Sequence, residues 1–561
     1  MITSSRQRIV DYRKRGWWTD DTLHGLLASN ARKYPNRLAV ADQPNRSDLT
    51  GDKPYRLSFT ELEVASTRVA CQLLDQGINS GDRIIVQLPN IAELVVCYLA
   101  VSKIGAVISP IPVQYGRYEL QHVSATISPV AIVTLERFGP LDLVKTAESI
   151  TQGNVKLLVF GTHLKIASTE DPEKHLQLQQ YQNSNPIDAD DILTICWTSG
   201  TTGTPKGVPR SHNMWFSTAR CCAEAGQYKP GDRFLNIFPM VNMASIGGFL
   251  YPALLLGCSL VLHHPLDPGL YLAQLQDEKI TFTLAPPVLL NQLAKSKDMW
   301  TQFDFSHLRS IGSGSAPLAP WMIETFRQQY DLDVINFYGS NEGISLFCTP
   351  IHTDDSEVRA TMFPRLGCDI ARFDCYANSV IRSKVIDTET GETISESGRV
   401  GELLFAGATV FDGYLGTNND EIFSDDYFHT GDLVELCGDP PDFYRIAGRC
   451  KDIINRGGMK ISPAEIDILL EGLPGALEIA VCAYQDDVQG EKVCACLVVE
   501  PDADKPSLDN VVGYLLKQGL AKFKLPERLE FFDSLPRNPL GKVQRFILED
   551  AVSQRDQEGK L

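Results

Sequence analysis

The sequence predicts a mixed α/β protein with a large N-terminal domain and a small C-terminal domain, on three observations. Short β-branched runs alternate with segments of helical period, which is typical of largely parallel sheets covered by helices. Helical segments become sparse between about residues 375 and 436, where apolar runs are separated by Gly and Asp turns. After residue 447 the chain has its own compact pattern of helices and strands. We therefore expect two mainly parallel α/β subdomains and a β-rich subdomain in residues 1–447, and a mobile α+β domain in residues 448–561 with a hinge near Lys451.

Individual elements follow from the same periodicities. In the N-terminal domain, β-branched runs predict strands at Arg83–Leu88, Ala131–Leu135, Lys156–Phe160 and Ser259–His263. The β-rich part has short strand-like runs at Ser379–Ile381 and Gly401–Phe405. In the C-terminal domain we expect helices at Pro463–Leu470 and Leu508–Leu520, and strands at Ile479–Tyr484, Val493–Val499 and Glu527–Phe532. The apolar stretches Ala92–Val113 and Ile246–Leu262 are too interrupted or too short to span a membrane, so they predict buried helix and strand.

Composition excludes several classes of function. The 561 residues carry 70 Asp and Glu against 52 Lys and Arg, a net charge of −18, whereas nucleic-acid and anionic-membrane binders normally have a basic surplus. The fourteen cysteines include the adjacent Cys221 and Cys222 and the closely spaced Cys494 and Cys496, but no CxxC spacing. We therefore expect reduced, buried thiols in a cytoplasmic protein that has no nucleic-acid partner and no membrane span.

The strongest chemical signal is TSGTTGTPKG at residues 198–207, directly after the apolar run Ile192–Trp197. Small hydroxyl residues and glycines after a strand allow backbone N–H and side-chain O–H groups to surround phosphate oxygens, and Lys206 adds positive charge. The segment is not a Walker A loop, because Pro205 precedes the lysine and Gly207 follows it. This disfavours a P-loop kinase or GTPase; taken alone, the segment also fits a flexible Gly/Thr hairpin.

This segment resembles the phosphate-binding loop of the adenylate-forming enzymes, the family of acyl- and aryl-CoA synthetases, non-ribosomal peptide adenylation domains and luciferases. Five further motifs follow in the family's order: GSGSAP at 312–317, YGSNE at 338–342, YFHTGD at 427–432, GRCKDIINRGGMK at 448–460 and PRNPLGK at 536–542. The resemblance extends from about residue 20 to 550. Six ordered motifs are far more specific than any one of them.

The chemistry of single residues agrees with this resemblance. Tyr338 offers an aromatic face for adenine, and Glu342 supplies a hard oxygen ligand for the Mg²⁺ that accompanies ATP. A Thr-Gly turn before Asp432 predicts an exposed carboxylate that accepts hydrogen bonds from ribose hydroxyls. The resemblance implies these roles, and it implies an ATP- and AMP-binding set of Thr198, Ser199, Gly200, Thr201, Thr202, Gly203, Lys206, Gly314, Ser315, Ala316, Tyr338, Gly339, Asn341, Asp432 and Arg449.

The resemblance also assigns chemistry to the C-terminal domain. Lys542 follows a Gly turn that presents it on an exposed loop, and its charge would stabilise the negative charge that develops on the α-phosphate. Lys451 matches the hinge position of the family. Rotation about it would withdraw Lys542 and bring in Gly457 and Gly458, whose missing side chains leave room for a pantetheine arm.

The reaction that the resemblance implies has two steps. A carboxylic acid displaces pyrophosphate from ATP to give an acyl-adenylate, and a thiol then takes the acyl group and releases AMP. The implied partners are a small-molecule acid, ATP with Mg²⁺, and either CoA or the phosphopantetheine of a carrier protein. The G-x-S-x-G nucleophile elbow is missing, since Asn341 stands where its serine would be, so catalysis would rest on positioning and electrostatics. Asn341 is also a mild departure from the family, which more often has Thr there.

The segment FPMVNMASIGG at 238–248 corresponds to the acid-binding segment of the family. Asn242 stands where many relatives have His, and Met243 stands where aryl-acid ligases of siderophore pathways have Asn. The predicted acid pocket is mainly apolar and suits an alicyclic, aromatic or medium-chain acid; its members are Asn242, Met243, Ile246, Gly247 and Ser340.

The leading interpretation is an AMP-forming acid–CoA ligase. The alternative is a stand-alone aryl-acid AMP ligase of the 2,3-dihydroxybenzoate type that loads a carrier protein. A P-loop phosphotransferase is disfavoured by Pro205 and Gly207. An inactive scaffold that keeps the fold would be expected to have lost Lys542, Glu342 or Asp432, and all three are present.

Overall fold

The computed structural model describes the chain apart from residues 152–154, 168, 170, 199–204, 315–317, 369–372, 451, 457–458, 487–488, 502, 519, 521, 539–540 and 559–561. Its helices are α1 (Arg6–Lys14), α2 (Leu23–Lys33), α3 (Arg46–Thr50), α4 (Phe59–Asp75), α5 (Ala92–Ile104), α6 (Arg117–Ile127), α7 (Leu143–Ala147), α8 (Pro172–Ser184), α9 (His212–Ala225), α10 (Met243–Ser245), α11 (Tyr251–Leu256), α12 (Pro268–Asp277), α13 (Pro287–Lys295), α14 (Lys297–Thr301), α15 (Pro320–Tyr330), α16 (Ser356–Thr361), α17 (Tyr376–Val380), α18 (Pro463–Leu470), α19 (Leu508–Lys517) and α20 (Arg545–Glu558). A π-helical turn covers Ile246–Leu250.

Its strands are β1 (Leu38–Ala41), β2 (Arg56–Ser58), β3 (Arg83–Gln87), β4 (Val107–Pro110), β5 (Ala131–Thr134), β6 (Arg137–Phe138), β7 (Leu141–Asp142), β8 (Lys156–Val159), β9 (Ile192–Thr198), β10 (Lys206–Ser211), β11 (Arg233–Asn236), β12 (Ser259–Leu262), β13 (Phe282–Leu284), β14 (Ser310–Gly314), β15 (Asp333–Gly339), β16 (Ser345–Cys348), β17 (Met362–Pro364), β18 (Ile381–Ile386), β19 (Thr393–Ile394), β20 (Val400–Gly407), β21 (Phe423–Ser424), β22 (Tyr427–Cys437), β23 (Phe443–Arg449), β24 (Ile454–Arg456), β25 (Met459–Ile461), β26 (Ala476–Asp486), β27 (Gly490–Val499) and β28 (Arg528–Phe531).

The chain divides into two compact units. Unit 1 contains Met1–Thr198, Pro205–Arg382 and Phe405–Phe428, and unit 2 contains Ser383–Leu404 and His429–Leu561. Unit 1 holds an eight-stranded sheet of order β16-β15-β14-β13-β11-β12-β1-β2 and a six-stranded sheet of order β10-β9-β4-β3-β5-β8. The interior strands of both sheets are parallel, and antiparallel pairing is confined to their edges at β15–β16, β1–β2 and β9–β10.

Unit 1 explains the apolar stretch that begins at Ala92. Every residue of helix α5 is buried, so the helix has no polar face and its sequence lacks an amphipathic period. Gly105 ends it in the left-handed conformation, with φ +69°, and the chain continues into the buried strand β4. The expected buried helix and strand are therefore confirmed. Among the described residues, no helix is both long enough and apolar enough to cross a membrane.

Unit 2 combines two sheets. Strands follow the order β19-β18-β20-β22-β23 in one, and β25-β24-β27-β26 in the other, where β28 is added parallel to β27. Helix α18 has the predicted bounds, whereas α19 ends three residues before the predicted Leu520. These two sheets and the parallel sheets of unit 1 confirm the expected mixed α/β class with a β-rich part and a small C-terminal domain.

The strand predicted at Ser379 is wrong in its first residues. Residues Tyr376–Val380 form the short helix α17, and β18 begins at Ile381. The carboxylate of Glu224, on α9, accepts hydrogen bonds from the backbone N–H groups of Tyr376 (2.8 Å) and Ala377 (3.2 Å). A distant side chain thus caps the helix, and local sequence preference gave no sign of it.

Candidate active site

The side-chain amide of Asn341 holds together three segments of unit 1. Its Oδ1 accepts a hydrogen bond from the backbone N–H of Met243 (2.8 Å), and its Nδ2 donates to the carbonyl oxygen of Trp197 at the end of β9 (3.0 Å). Its own backbone carbonyl accepts a hydrogen bond from Nη1 of Arg210 (2.9 Å). Asn341 was predicted to contact the nucleotide. In the structure, both the oxygen and the nitrogen of its amide form hydrogen bonds that position the neighbouring segments of the chain.

Each of the three segments carries a buried polar atom without a hydrogen-bond partner in the described part of the chain. These atoms are the Oγ1 of Thr198, the Oδ1 of Asn242 and the Oγ of Ser340. Each of these residues is adjacent in sequence to a residue of the Asn341 hydrogen bonds. Thr198 follows Trp197, Asn242 precedes Met243, and Ser340 precedes Asn341. Because buried polar groups are normally satisfied, such a set is expected where a ligand supplies the missing partners.

Glu342 lies on the next position of the chain and is buried in unit 1. Its Oε1 accepts a hydrogen bond from the hydroxyl of Tyr414 (2.7 Å), and the ammonium of Lys206 lies 4.6 Å from the centre of the same Tyr414 ring. Tyr414 therefore links the predicted metal ligand to the predicted phosphate-binding lysine. Tyr414 is not among the residues expected from the sequence; its position in a short Gly-Tyr-Leu-Gly segment was the available signal.

The buried Arg210, which contacts the Asn341 segment, was also not predicted as a site residue. Arg210 donates hydrogen bonds to the carbonyl oxygens of Asn341, Met214 (3.0 Å) and Thr409 (2.8 Å) and to the hydroxyl of Thr218 (2.9 Å). Burial lowers its pKa to about 10, against which the nearby negative charge of Glu342 acts. The guanidinium thus fixes the segment around Asn341 through neutral oxygen acceptors.

Three residues that were predicted to bind nucleotide lie at the carboxyl ends of two parallel strands. Tyr338 and Gly339 end β15, and Gly314 ends β14 in register with Phe337. A Cβ at Gly314 would lie 2.1 Å from the Phe337 carbonyl oxygen, so only glycine fits there. The Tyr338 ring packs near Phe363, at 5.6 Å between centres. Ligands of α/β proteins commonly bind at such carboxyl ends.

Some residues of the predicted acid-binding segment pack in the core, whereas others lie beside open space. Ile246 is completely buried and belongs to the main hydrophobic core of unit 1. A Cβ on Gly247 would lie 2.7 Å from Cγ2 of Thr218, so that glycine permits close packing of the π-helical turn, whereas a Cβ on Gly248 would meet no atom within 4 Å. Met243 is half-buried, and its Cγ lies 3.7 Å from the Cβ position of Gly339. Open space therefore lies at Gly248 and not at Gly247.

In unit 2, Asp432 and Arg449 face each other across strands β22 and β23. The Nε of Arg449 lies 2.8 Å from Oδ1 of Asp432, whose side chain is only 3% exposed. The expectation of an exposed carboxylate is therefore wrong. The predicted turn is also absent, because Thr430 and Gly431 lie within strand β22. Gly431 adopts φ +70° there and donates its N–H to Glu402 (3.0 Å), and the pairing of β22 with β23 places Asp432 against Arg449.

Lys542 lies at the end of a hairpin in unit 2. Its backbone N–H donates to Oδ1 of Asn538 (2.9 Å), its carbonyl oxygen accepts from the Asn538 N–H (2.9 Å), and Arg537 pairs with Val543. The Lys542 residue is exposed to solvent. Partial desolvation by neighbouring groups and the positive charge of Arg449 lower the pKa of Lys542, while Asp432 and Asp452 act in the opposite direction.

The remaining predicted site residues lie outside the described residues. They are Ser199, Gly200, Thr201, Thr202, Gly203, Ser315, Ala316, Lys451, Gly457 and Gly458. The hinge, most of the phosphate-binding loop and the proposed pantetheine-facing glycines therefore stay predictions.

Comparison with known proteins identifies the family. Residues 27–415 match the family model described as AMP-binding enzyme, and residues 465–542 match that of the AMP-binding enzyme C-terminal domain. Since the first match covers more than half of the sequence, the chain belongs to the AMP-binding enzyme family, and the superfamily expected from the six motifs is confirmed.

Relatives of known activity cover almost the whole chain. It is 29% identical over 577 residues to a medium-chain fatty-acid–CoA ligase of Escherichia coli strain K12, covering 99% of this chain and 94% of the relative. It is 28% identical over 562 residues to enterobactin synthase component E of the same organism, covering 97% of each. The crystal structure of ATP-bound MatB from Rhodopseudomonas palustris is similar at a TM-score of 0.75 and 25% identity, covering 95% of this chain and 99% of that one.

Proposed function

We propose that this chain is an AMP-forming acid–CoA ligase whose substrate is an alicyclic, aromatic or medium-chain carboxylic acid. An oxygen of the acid attacks the α-phosphorus of ATP and pyrophosphate leaves; the sulfur of CoA then attacks the acyl carbon and AMP leaves. The observation that carries the proposal is the set of buried, unpartnered polar atoms of Thr198, Asn242 and Ser340 around the Asn341 hydrogen bonds.

The residues of unit 1 bind and orient in this scheme. Lys206 attracts the phosphates, with Thr198 as a hydroxyl donor beside them. Glu342 fits Mg²⁺, because it is a buried hard carboxylate whose one hydrogen bond among the described residues comes from the neutral Tyr414 hydroxyl. When bound, Mg²⁺ would offset the charge of the phosphates.

The residues of unit 2 hold the ribose and stabilise charge. A carboxylate has about four acceptor positions, so Asp432 can accept from ribose hydroxyls in addition to Arg449. Lys542 supplies a positive charge while the α-phosphate becomes more negative. The pKa of Lys542 is lowered by desolvation and by Arg449, so its surroundings disfavour the positive charge before substrate binds.

The acid itself is proposed from the composition of its segment. Met243 and the open space at Gly248 favour an apolar body, and the unpartnered Oδ1 of Asn242 is an acceptor for one donor group on the ligand. Similarity to a medium-chain fatty-acid–CoA ligase supports an apolar acid.

Similarity of nearly equal extent to enterobactin synthase component E favours a second candidate, an aryl-acid ligase that loads a carrier protein. Acid-dependent ATP–pyrophosphate exchange should be measured over straight-chain, cyclohexane and benzoic acids, each paired with its hydroxylated counterpart, and AMP release should be measured with and without CoA. The first proposal requires exchange with the plain acids and AMP release that CoA stimulates. Exchange confined to hydroxybenzoates and indifferent to CoA would support the second.

The same assay tests the pocket assignment. Asn242→Leu should remove most of the preference between the two members of a pair, because it removes the acceptor. Asn45→Leu, at an asparagine outside the acid segment, is the matched control and should leave the preference unchanged. An unchanged preference in Asn242→Leu would place the acid elsewhere.

A further inference from the structure

Three cysteines of unit 2 meet on one face of the hairpin formed by β26 and β27. The antiparallel register pairs Cys482 with Cys494, and the two-residue period of a strand places Cys496 on the same face as Cys494. The three Sγ atoms all lie within 4.8 Å of one another, and those of Cys482 and Cys496 are 3.7 Å apart. The sequence spacing gave no sign of this cluster, because one partner lies twelve residues away on the opposite strand.

These separations match what a single thiolate-bound centre requires. A bond of about 2.3 Å from a centre to sulfur places its sulfur ligands about 3.4 Å apart in a pyramidal three-coordinate centre and about 3.8 Å apart in a tetrahedral one. The sulfur atoms of the cluster therefore need only small shifts to bind one centre, and all three belong to one pair of hydrogen-bonded antiparallel strands. By contrast, no other group of three such side chains this close is found among the described residues.

The surroundings decide the chemical class of the ligand. All three side chains are fully buried, and they pack in an apolar cluster with Ala480, Val498, Leu535, Leu548 and Val552. A zinc ion in a closed site takes four protein ligands, and the described residues supply three. Cu⁺ bound to three thiolates would bury two net negative charges in apolar surroundings, which is strongly unfavourable.

A trivalent centre bound to three thiolates has no net charge, so burying it in apolar surroundings is not opposed in this way. Arsenous acid, As(OH)₃, is neutral, and its reaction with three thiols gives neutral As(SR)₃ and three water molecules. Three As–O and three S–H bonds break, three As–S and three O–H bonds form, and no atom changes oxidation state. We propose that Cys482, Cys494 and Cys496 form a three-thiol binding site for trivalent arsenic.

The site lies next to the hairpin of Lys542. Leu535 belongs to the same apolar cluster, and Val543, directly after Lys542, packs against it. Occupancy of the site would therefore disturb the ends of the segment that carries Lys542. This consequence rests on the proposed function: arsenite-loaded protein should form acyl-adenylate several-fold more slowly.

Intact-mass measurement of the full chain tests the site without any assay of activity. Reduced protein is incubated with arsenite, freed of excess reagent, and analysed with and without a later treatment with 2,3-dimercaptopropanol. We expect one arsenic per chain with the loss of three hydrogens, reversed by the dithiol. A two-thiol adduct would instead retain one hydroxyl on arsenic and be one water heavier, which would overturn the three-thiol site.

Variants assign the adduct to these residues. Cys496→Ala should lose the three-thiol adduct and retain at least ten-fold less arsenic at equal concentration, and Cys496→Val serves as a second variant that leaves no cavity and errs instead toward a slightly larger side chain. Cys258→Ala, at a buried cysteine of unit 1, is the matched control and should bind like the unchanged protein. Unaltered binding in both Cys496 variants, or no retention by the unchanged protein, would refute the proposal.

If arsenic binds with the expected mass and the catalytic rate does not change, the coupling to Lys542 is refuted while the site stands. If the protein forms no acyl-adenylate with any acid, the proposed function fails and the mass result still decides the site.

Discussion

The two units hold their key carboxylates in opposite ways. Glu342 in unit 1 accepts a hydrogen bond from the neutral hydroxyl of Tyr414, so its negative charge is not neutralised by that partner. Asp432 in unit 2 is equally buried, but it is ion-paired with Arg449. A buried anion with a neutral partner is suited to a cation, whereas one that is already paired is suited to accepting hydroxyl groups. This difference agrees with the proposed roles of Glu342 in Mg²⁺ binding and of Asp432 in ribose binding.

The largest effect is expected at Lys542, the proposed stabiliser of the charge that develops on the α-phosphate. Lys542→Ala should slow acyl-adenylate formation by about 10²–10³-fold, in line with the loss of one electrostatic stabiliser. Pre-made acyl-adenylate should still react with CoA at nearly the original rate, because the role proposed for Lys542 is confined to the first half-reaction. Single-turnover assays of both half-reactions measure this. Lys517→Ala, an exposed lysine on α19, is the control. An equal fall in both half-reactions would contradict the assignment.

The comparison of the carboxylates is tested directly by matched neutral substitutions. Glu342→Gln should lower kcat/KM by about 10–100-fold and raise the Mg²⁺ concentration needed for half-maximal rate, since the hard anionic ligand is lost. Asp432→Asn should raise the KM for ATP by about 10-fold with an unchanged Mg²⁺ requirement, because hydrogen bonds to ribose hydroxyls weaken. Steady-state kinetics at varied Mg²⁺ and ATP separate the two outcomes. A raised Mg²⁺ requirement in both variants would contradict the assignment of Mg²⁺ binding to Glu342 alone.

Two neighbouring glycines of the π-helical turn provide a smaller contrast within unit 1. Gly247→Ala should lower the free energy of unfolding by about 1–3 kcal/mol, because its Cβ meets Thr218 and Trp215. Gly248→Ala should cost less than about 1 kcal/mol and should shift acid preference toward smaller acids if its open space receives the acid. Denaturant unfolding and the acid panel measure these effects. Equal destabilisation by both variants would show that the packing difference is not maintained in solution.

The smallest expected effect is a shift in the pH above which the rate of acyl-adenylate formation declines. Lys542 acts protonated, and its pKa lies below the ordinary 10.5, so acyl-adenylate formation should decline as pH rises through a value below 10.5. Arg449→Gln removes a like charge and should move this decline to higher pH. Pre-steady-state rates from pH 7 to 10 at ATP concentrations well below saturation report it, because under these conditions the rate follows the pKa of the ATP-free enzyme. A decline at the same pH in this variant would mean that another group causes it.

Much of the fold and of the site was predictable from local patterns. Strands such as β3 and β5 begin at the predicted residues and α18 has the predicted bounds, because these segments bury continuous apolar runs. Conversely, α17 replaced the start of a predicted strand because Glu224 caps it from a distant helix. Tyr414 and Arg210 were missed for the same reason, since their importance comes from partners far away in sequence.

The sequence by itself determined the family, the order of its motifs and the mixed α/β class, because six motifs and the hydrophobic periods are local properties of the chain. Only the tertiary structure decided how individual side chains are used. It buried Asp432 against Arg449, assigned the amide of Asn341 to holding three segments, and joined Cys482 to Cys494 and Cys496 across a hairpin. Burial, hydrogen-bond partners and strand register are relations between distant residues, and these relations set the charge and chemistry that each side chain presents.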